Sequence, residues 1–146
     1  MIIETHIDCS LTDVEVILRY PEENSYTKKI RDILETVDGV LIGKKENERV
    51  LVPLIDIIYI DSVDRRTFLY TDRDVYEIDK KIYELETLLS GTTFFRVSKT
   101  TLLNLLMVKS IRSEIGGRLL VTVNSGDRIL VSRQYATSIK NALEVK

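Results

Sequence analysis

The sequence predicts a mainly β chain with short helices, an α+β fold in which an antiparallel sheet domain follows a small α+β annex. Three observations predict it. Short β-rich runs recur along the chain, and compact turn signals separate them: Asp61 to Arg66, Asp72-Arg73-Asp74, Gly116-Gly117 and Asn124-Ser125-Gly126-Asp127. The apolar period switches from alternation to helical spacing in three stretches only. Pro21, Gly39, Pro53 and Gly91 fall where those periods change, as residues that break or end regular structure should.

The elements follow in order. Met1 to Ile7 and Asp13 to Arg19 are rich in β-branched residues and read as two strands. After Pro21, Asn24 or Ser25 can cap a helix whose apolar face is Tyr26, Ile30, Ile33, Leu34 and Val37, with Gly39 closing it. Val40 to Gly43 and Arg49 to Val52 form two short strands about the charged turn Lys44 to Glu48. Residues 1–49 are thus the annex, suited to dimerisation or partner binding, and residues 50–146 the sheet domain.

Leu54 to Ile60 is a near-continuous apolar run, read as one strand buried along most of its length. Thr67 to Thr71 and Val75 to Ile78 continue an antiparallel meander. Ile78, Ile82, Leu85 and Leu89 then step at helical spacing, with Asp79 as the expected N-cap and Gly91 as the C-cap. Met107 to Glu114, Arg118 to Val123 and Arg128 to Val131 are three more strands joined by glycine turns. A last helix carries Tyr135, Ile139 and Leu143 on one side, with Ser132 as its expected cap.

Composition narrows the function. The charged fraction of 30% and apolar fraction of 44% are those of an ordinary soluble chain. The lone Cys9 and the absence of a signal-peptide pattern predict a cytoplasmic protein. The single His6 has no second histidine or cysteine at metal-ligand spacing, so no metal site is expected. Ser98 and Ser132 have no histidine to activate them, and there is no Gly-rich phosphate loop. No catalytic residue and no cofactor are expected, and the chain is not read as an enzyme.

Net charge points instead to a polyanion. The total is −2, but residues 91–146 hold nine Lys/Arg against three Asp/Glu, and residues 1–90 hold twelve against twenty. A basic end on an acidic body directs one surface at a negative partner. Arg65, Arg66, Arg96, Lys99, Arg118, Arg128 and Arg133 all fall at strand ends or turns, from which side chains can enter a duplex groove or neutralise phosphates. RNA stacking is disfavoured, because Phe94 and Phe95 are adjacent in a strand and face opposite sides.

The motif Phe94-Phe-Arg-Val-Ser-Lys-Thr-Thr-Leu-Leu-Asn104 carries a resemblance. With Ile57-Ile-Tyr-Ile-Asp-Ser-Val63 before it, Val108 to Ile111 after it, and Ile129-Leu-Val-Ser-Arg-Gln-Tyr135 beyond, it resembles the LytTR DNA-binding domain over roughly Val50 to Leu143. The resemblance implies a bacterial transcription regulator that reads DNA through loops of an antiparallel sheet and binds paired direct repeats as two protomers, a homodimer at least on DNA. By position it makes Ser98, Lys99 and Thr100 the leading base contacts, the turn Arg65-Arg66-Thr67 a second group and Arg133-Gln134 a third, with Arg96 on phosphate. Many members carry His at the position of Ser98, so base preference does not transfer. The residues before the domain are too few for a receiver domain. The resemblance then implies a stand-alone regulator controlled by a membrane protein encoded nearby rather than by phosphorylation. The alternative is a protein-interaction module of the same fold without DNA binding.

Overall fold

A computed structural model describes residues 1–144. Helix α1 spans Ser25–Asp38 and is followed by β1 (Val40–Lys45), β2 (Glu48–Pro53), β3 (Ile57–Val63), β4 (Arg66–Thr71) and β5 (Val75–Ile78). Then come α2 (Ile82–Leu88), β6 (Phe94–Arg96), β7 (Thr101–Asn104), β8 (Val108–Ser113), β9 (Leu119–Val123), β10 (Arg128–Val131) and α3 (Arg133–Leu143). Seven strands form one antiparallel sheet in the order β2-β1-β5-β4-β3-β7-β6, and three form a second, β10-β9-β8. The fold is the mainly antiparallel β architecture with short helices that the sequence predicts.

Two cores explain the sequence pattern. Leu41, Val52, Leu54, Ile57, Ile60, Leu69, Phe94 and Leu102 pack with Ile82, Leu85 and Leu89 of α2. Ile58, Val97, Leu103, Leu119, Val121, Val123 and Val131 pack with Ala136 and Ile139 of α3. β3 and β7 lie between them and are buried on both faces. Successive strand residues point to opposite faces, so Leu102 and Leu103 each enter a different core. A register shift between Ile57 and Tyr59 places Ile57 and Ile60 in the same core despite their odd spacing.

Several expectations are corrected. Met1 to Ile7 and Asp13 to Arg19 form no strand: neither run pairs with any described backbone, and their apolar side chains are largely exposed. β composition gives a strand only where an edge is available to accept it. Leu54 to Ile60 divides into a 3-10 turn, Leu54–Asp56, and then β3. Lys81, not Asp79, precedes the first turn of α2, and its N–H donates to Glu84 Oε1 at 3.0 Å. Asp79 is instead drawn to Lys44 across the sheet. Ser132 makes no side-chain cap on α3; its hydroxyl donates to the Val97 carbonyl at 3.2 Å. The cap on α1 is as expected, with Asn24 and Thr27 satisfying each other's N–H at 3.0 Å in both directions.

The expected boundary at residue 49 cuts β2, and β1 joins β5 in the large sheet. The far end of the second part, residues 145–146, lies outside the described residues. A buried polar relay ties α1 to the rest. The Thr36 and Thr93 hydroxyls are 2.9 Å apart, Thr93 N donates to Thr36 Oγ1 at 2.9 Å, and Thr93 Oγ1 donates to Asn104 Oδ1 at 2.7 Å.

Candidate nucleic-acid interface

The link between β6 and β7 is short and held on every side. Val97, with no exposed surface, anchors it. Val97 N donates to Thr101 O at 3.0 Å, and Val97 O accepts Ser132 N at 2.9 Å from the second layer. Ser62 N of β3 donates to Thr100 O at 2.9 Å, and Thr101 Oγ1 donates to Asp61 Oδ1 at 2.9 Å. Only the side chains of Ser98, Lys99 and Thr100 are left to face outward.

Arg96 holds the same link from within. Its Nε donates to Ser98 O at 2.6 Å and its Nη2 to Lys99 O at 2.6 Å, while Nη1 meets Glu86 Oε1 at 2.9 Å. Only 16% of its side chain is exposed. All three nitrogens are engaged within the protein, which is the geometry of a loop pin rather than of a phosphate contact.

Asn104 fixes the far end of β7. Fully buried, it donates Nδ2 to Ile57 O at 2.9 Å and accepts Leu106 N at 3.1 Å on the same oxygen that takes the Thr93 hydroxyl. It turns the chain into a 3-10 segment, Leu105–Met107, and so sets how β8 leaves the first sheet.

Ser98, Lys99 and Thr100 line one open cleft with Ser132, Arg133 and Gln134 at the start of α3. Two of the three sequence-predicted groups are thus brought together. Lys99 and Arg133 are exposed and have no acidic partner among the described residues. Gly117 stands beside them: a Cβ there would sit 3.0 Å from Arg133 Cγ, and its φ of +78° also favours glycine. The β8–β9 turn, with Arg118, therefore borders the same end of the molecule. Sequence reasoning missed both Gly117's closeness to Arg133 and the Arg96–Glu86 pair, since each joins residues from different elements.

The remaining group, Arg65-Arg66-Thr67, is split. The β3–β4 hairpin turns at Asp64 and Arg65, both at positive φ (52° and 65°), the two-residue geometry that matches strand twist. Arg65 is exposed at its tip. Arg66 is forked onto Glu77 at 2.9 and 2.8 Å and lies over the Phe68 ring. Thr67 is only 4% exposed. Arg65 alone of the three has a free guanidinium, and Thr67 is enclosed in the sheet. Nearby on the same strands, Tyr59 and Tyr70 stack with ring centres 4.3 Å apart. Burial, helped by the charges of Asp127, Tyr70 and Asp61, pushes the Tyr59 phenol up to about 12.

An antiparallel two-layer β frame with Lys99 and Arg133 exposed beside one cleft, unpaired with any acid among the described residues, is the class of arrangement that suits a polyanion. Comparison with known proteins gives the class its family. The family model for the LytTr DNA-binding domain matches residues 47–144, and the chain belongs to that family. It is 27% identical over 126 residues to the sensory transduction protein LytT of Bacillus subtilis, covering 82% of this chain and 52% of that one. It is 26% identical over 123 residues to the sensory transduction protein LytR of Staphylococcus haemolyticus, covering 84% and 48%. It is 31% identical over 77 residues to the transcriptional regulatory protein YpdB of Escherichia coli K12, covering 52% and 32%. The chain therefore spans about half the length, or less, of these curated relatives. A solved LytTr DNA-binding domain from Bacillus cereus shares the fold, with a TM-score of 0.67 at 23% identity over 72% of this chain and 96% of that one.

Proposed function

We propose that this chain is a bacterial, sequence-specific regulator of transcription that reads DNA through the Ser98–Thr100 link and the start of α3. The observation that carries the reading is the single cleft that gathers Ser98, Lys99, Thr100, Arg133 and Gln134, with Lys99 and Arg133 uncompensated. Such a cleft suits a division of labour. Arg133, Arg65 and Arg118 neutralise phosphates and set orientation, while Lys99, Thr100 and Gln134 meet base edges. Arg96, Arg66 and Thr67 act behind this surface, holding it in shape.

The reading extends to two protomers on paired direct repeats, in the cytoplasm, without catalysis. It also keeps control through a membrane protein encoded nearby rather than by phosphorylation. The test is binding of DNA fragments selected from a genomic pool, followed by anisotropy on the best fragment. Lys99→Ala should weaken specific binding by about 1–3 kcal/mol if Lys99 reads a base. Affinity should also fall steeply with salt, because released counterions drive phosphate contacts. Failure to select any sequence, together with a flat salt response, would favour the alternative of a protein-interaction module on the same fold.

A further inference from the structure

The segment Val14 to Tyr20 runs without helix, bend or strand pairing, and no described backbone group bonds to it. Val14 is 86%, Val16 57% and Ile17 73% exposed. Leu18 is half-buried, and the segment borders α1, where Val16, Leu18 and Tyr20 share a groove with Leu34 and Arg31. An exposed apolar stretch with both backbone edges free is a template for pairing with another strand.

The sequence of the segment specifies which strand. Val14, Val16, Leu18 and Tyr20 alternate with Glu15, Ile17 and Arg19. In an antiparallel pair of two copies centred on Ile17, Val14 opposes Tyr20, Glu15 opposes Arg19, Val16 opposes Leu18, and Ile17 meets its own symmetry mate. Directly opposed residues share a face, so the four apolar pairs fall together, on the side that already lies along α1. The two Glu15–Arg19 pairs flank the Ile17 pair on the other side. Shifting the register by two residues one way removes both charge pairs; shifting it the other way exchanges them for Asp13–Arg19 pairs but loses the Val14–Tyr20 contacts and sets Glu15 against Ile17. Neither Glu15 nor Arg19 has a partner within its own chain among the described residues.

We propose that Val14 to Tyr20 is the dimerisation strand of this protein, pairing antiparallel with the same segment of a second copy. A twofold axis passes through Ile17, as an isologous interface requires. The resulting two-stranded ribbon joins the two protomers through their α1 helices, away from the Ser98–Arg133 cleft. This deepens the two-protomer part of the functional reading and rests on it only for the number of copies.

The test needs no DNA. The mass of the full chain in solution, by light scattering, should be twice 16.8 kDa. Arg19→Glu sets Glu against Glu, and Glu15→Arg sets Arg against Arg. Each should raise the dimer dissociation constant by about tenfold or more. An equimolar mixture of the two variants should recover the dimer, since every opposed pair is then of opposite sign. Ile17→Pro should give a monomer, and an unchanged circular dichroism melt will show that the exposed segment is altered without loss of fold. A monomeric wild type, variants that stay dimeric, or a mixture that stays monomeric would each overturn the proposal. Loss of DNA binding with the dimer intact would overturn the DNA reading instead, and a monomer that still binds selected DNA would overturn the strand alone.

Discussion

Replacing Arg96 by lysine keeps the positive charge and removes the planar fork. A phosphate contact would tolerate this change; a loop pin would not. Arg96 makes two bonds of 2.6 Å to the Ser98 and Lys99 carbonyls, and hydrogen bonds from a charged donor contribute about 1.5–3 kcal/mol each. A lysine ammonium has donors enough but lacks the planar fork that spans both carbonyls, so it keeps about one of the two bonds in good geometry, and the site keeps some contact with solvent. The net loss is therefore about 1.5–2 kcal/mol of loop order. If the ordered loop is the binding-competent state, apparent affinity falls with its population, by up to roughly 10–30-fold, the full factor applying when the wild-type loop has no order to spare. The assay is anisotropy on a selected fragment for wild type, Arg96→Lys and Arg96→Ala, each across a salt series. Both variants should weaken specific binding with the logarithmic salt slope unchanged. Wild-type affinity for Arg96→Lys, with a slope smaller by about one for Arg96→Ala, would refute the pin and restore the phosphate contact.

Two further outcomes follow from buried groups. Asn104→Ala leaves the Thr93 hydroxyl, Leu106 N and Ile57 O short of a partner in a closed site, at a cost of about 2–4 kcal/mol. A calorimetric Tm should fall by roughly 6–15 °C, and a loss under about 1 kcal/mol would mean that the amide is dispensable. Tyr59 holds its proton to about 12 in the fold, whereas an unfolded phenol releases it near 10. Its contribution to stability is thus present below about pH 10 and lost as pH rises towards 12. Tyr59→Phe should flatten denaturant stability across that window and remove a late phenol from the ultraviolet titration; an unaltered titration would reject the assignment.

β3 to β5 and β8 to β10 were legible because glycine and Asp/Asn turns mark their reversals, whereas the β6–β7 hairpin was not, since Val97 to Thr100 carries no such residue. The cleft was legible in part, since Ser98, Lys99, Thr100, Arg133 and Gln134 belong to two recognisable motifs. What escaped the sequence was partnership. Arg96 and Arg66 look as available as Arg133 on paper, yet Glu86 and Glu77 stand opposite them across a fold the sequence does not display. The turn read over Asp61 to Arg66 shrinks to Asp64-Arg65, so Arg66 begins the strand and Thr67 is enclosed within it. The N-terminal runs have β composition, but composition does not supply pairing, and none of the edge strands β2, β6, β8 or β10 takes them up.

The clamp around Val97 has a consequence for how such a protein changes over generations. The placement of residues 98–100 is set by main-chain bonds from Val97, Thr100 and Ser62, and by Arg96 reaching carbonyl oxygens. None of these bonds depends on which side chain occupies position 99, whereas Ser98 also accepts Thr100 N on its hydroxyl at 3.2 Å. The fold therefore decouples where the loop sits from what it carries. Duplicated copies of the gene can exchange Lys99 for other residues without first losing stability, while Ser98 is tied to the loop through its hydroxyl. Divergence of target sites then needs few substitutions, and the frame that surrounds them persists.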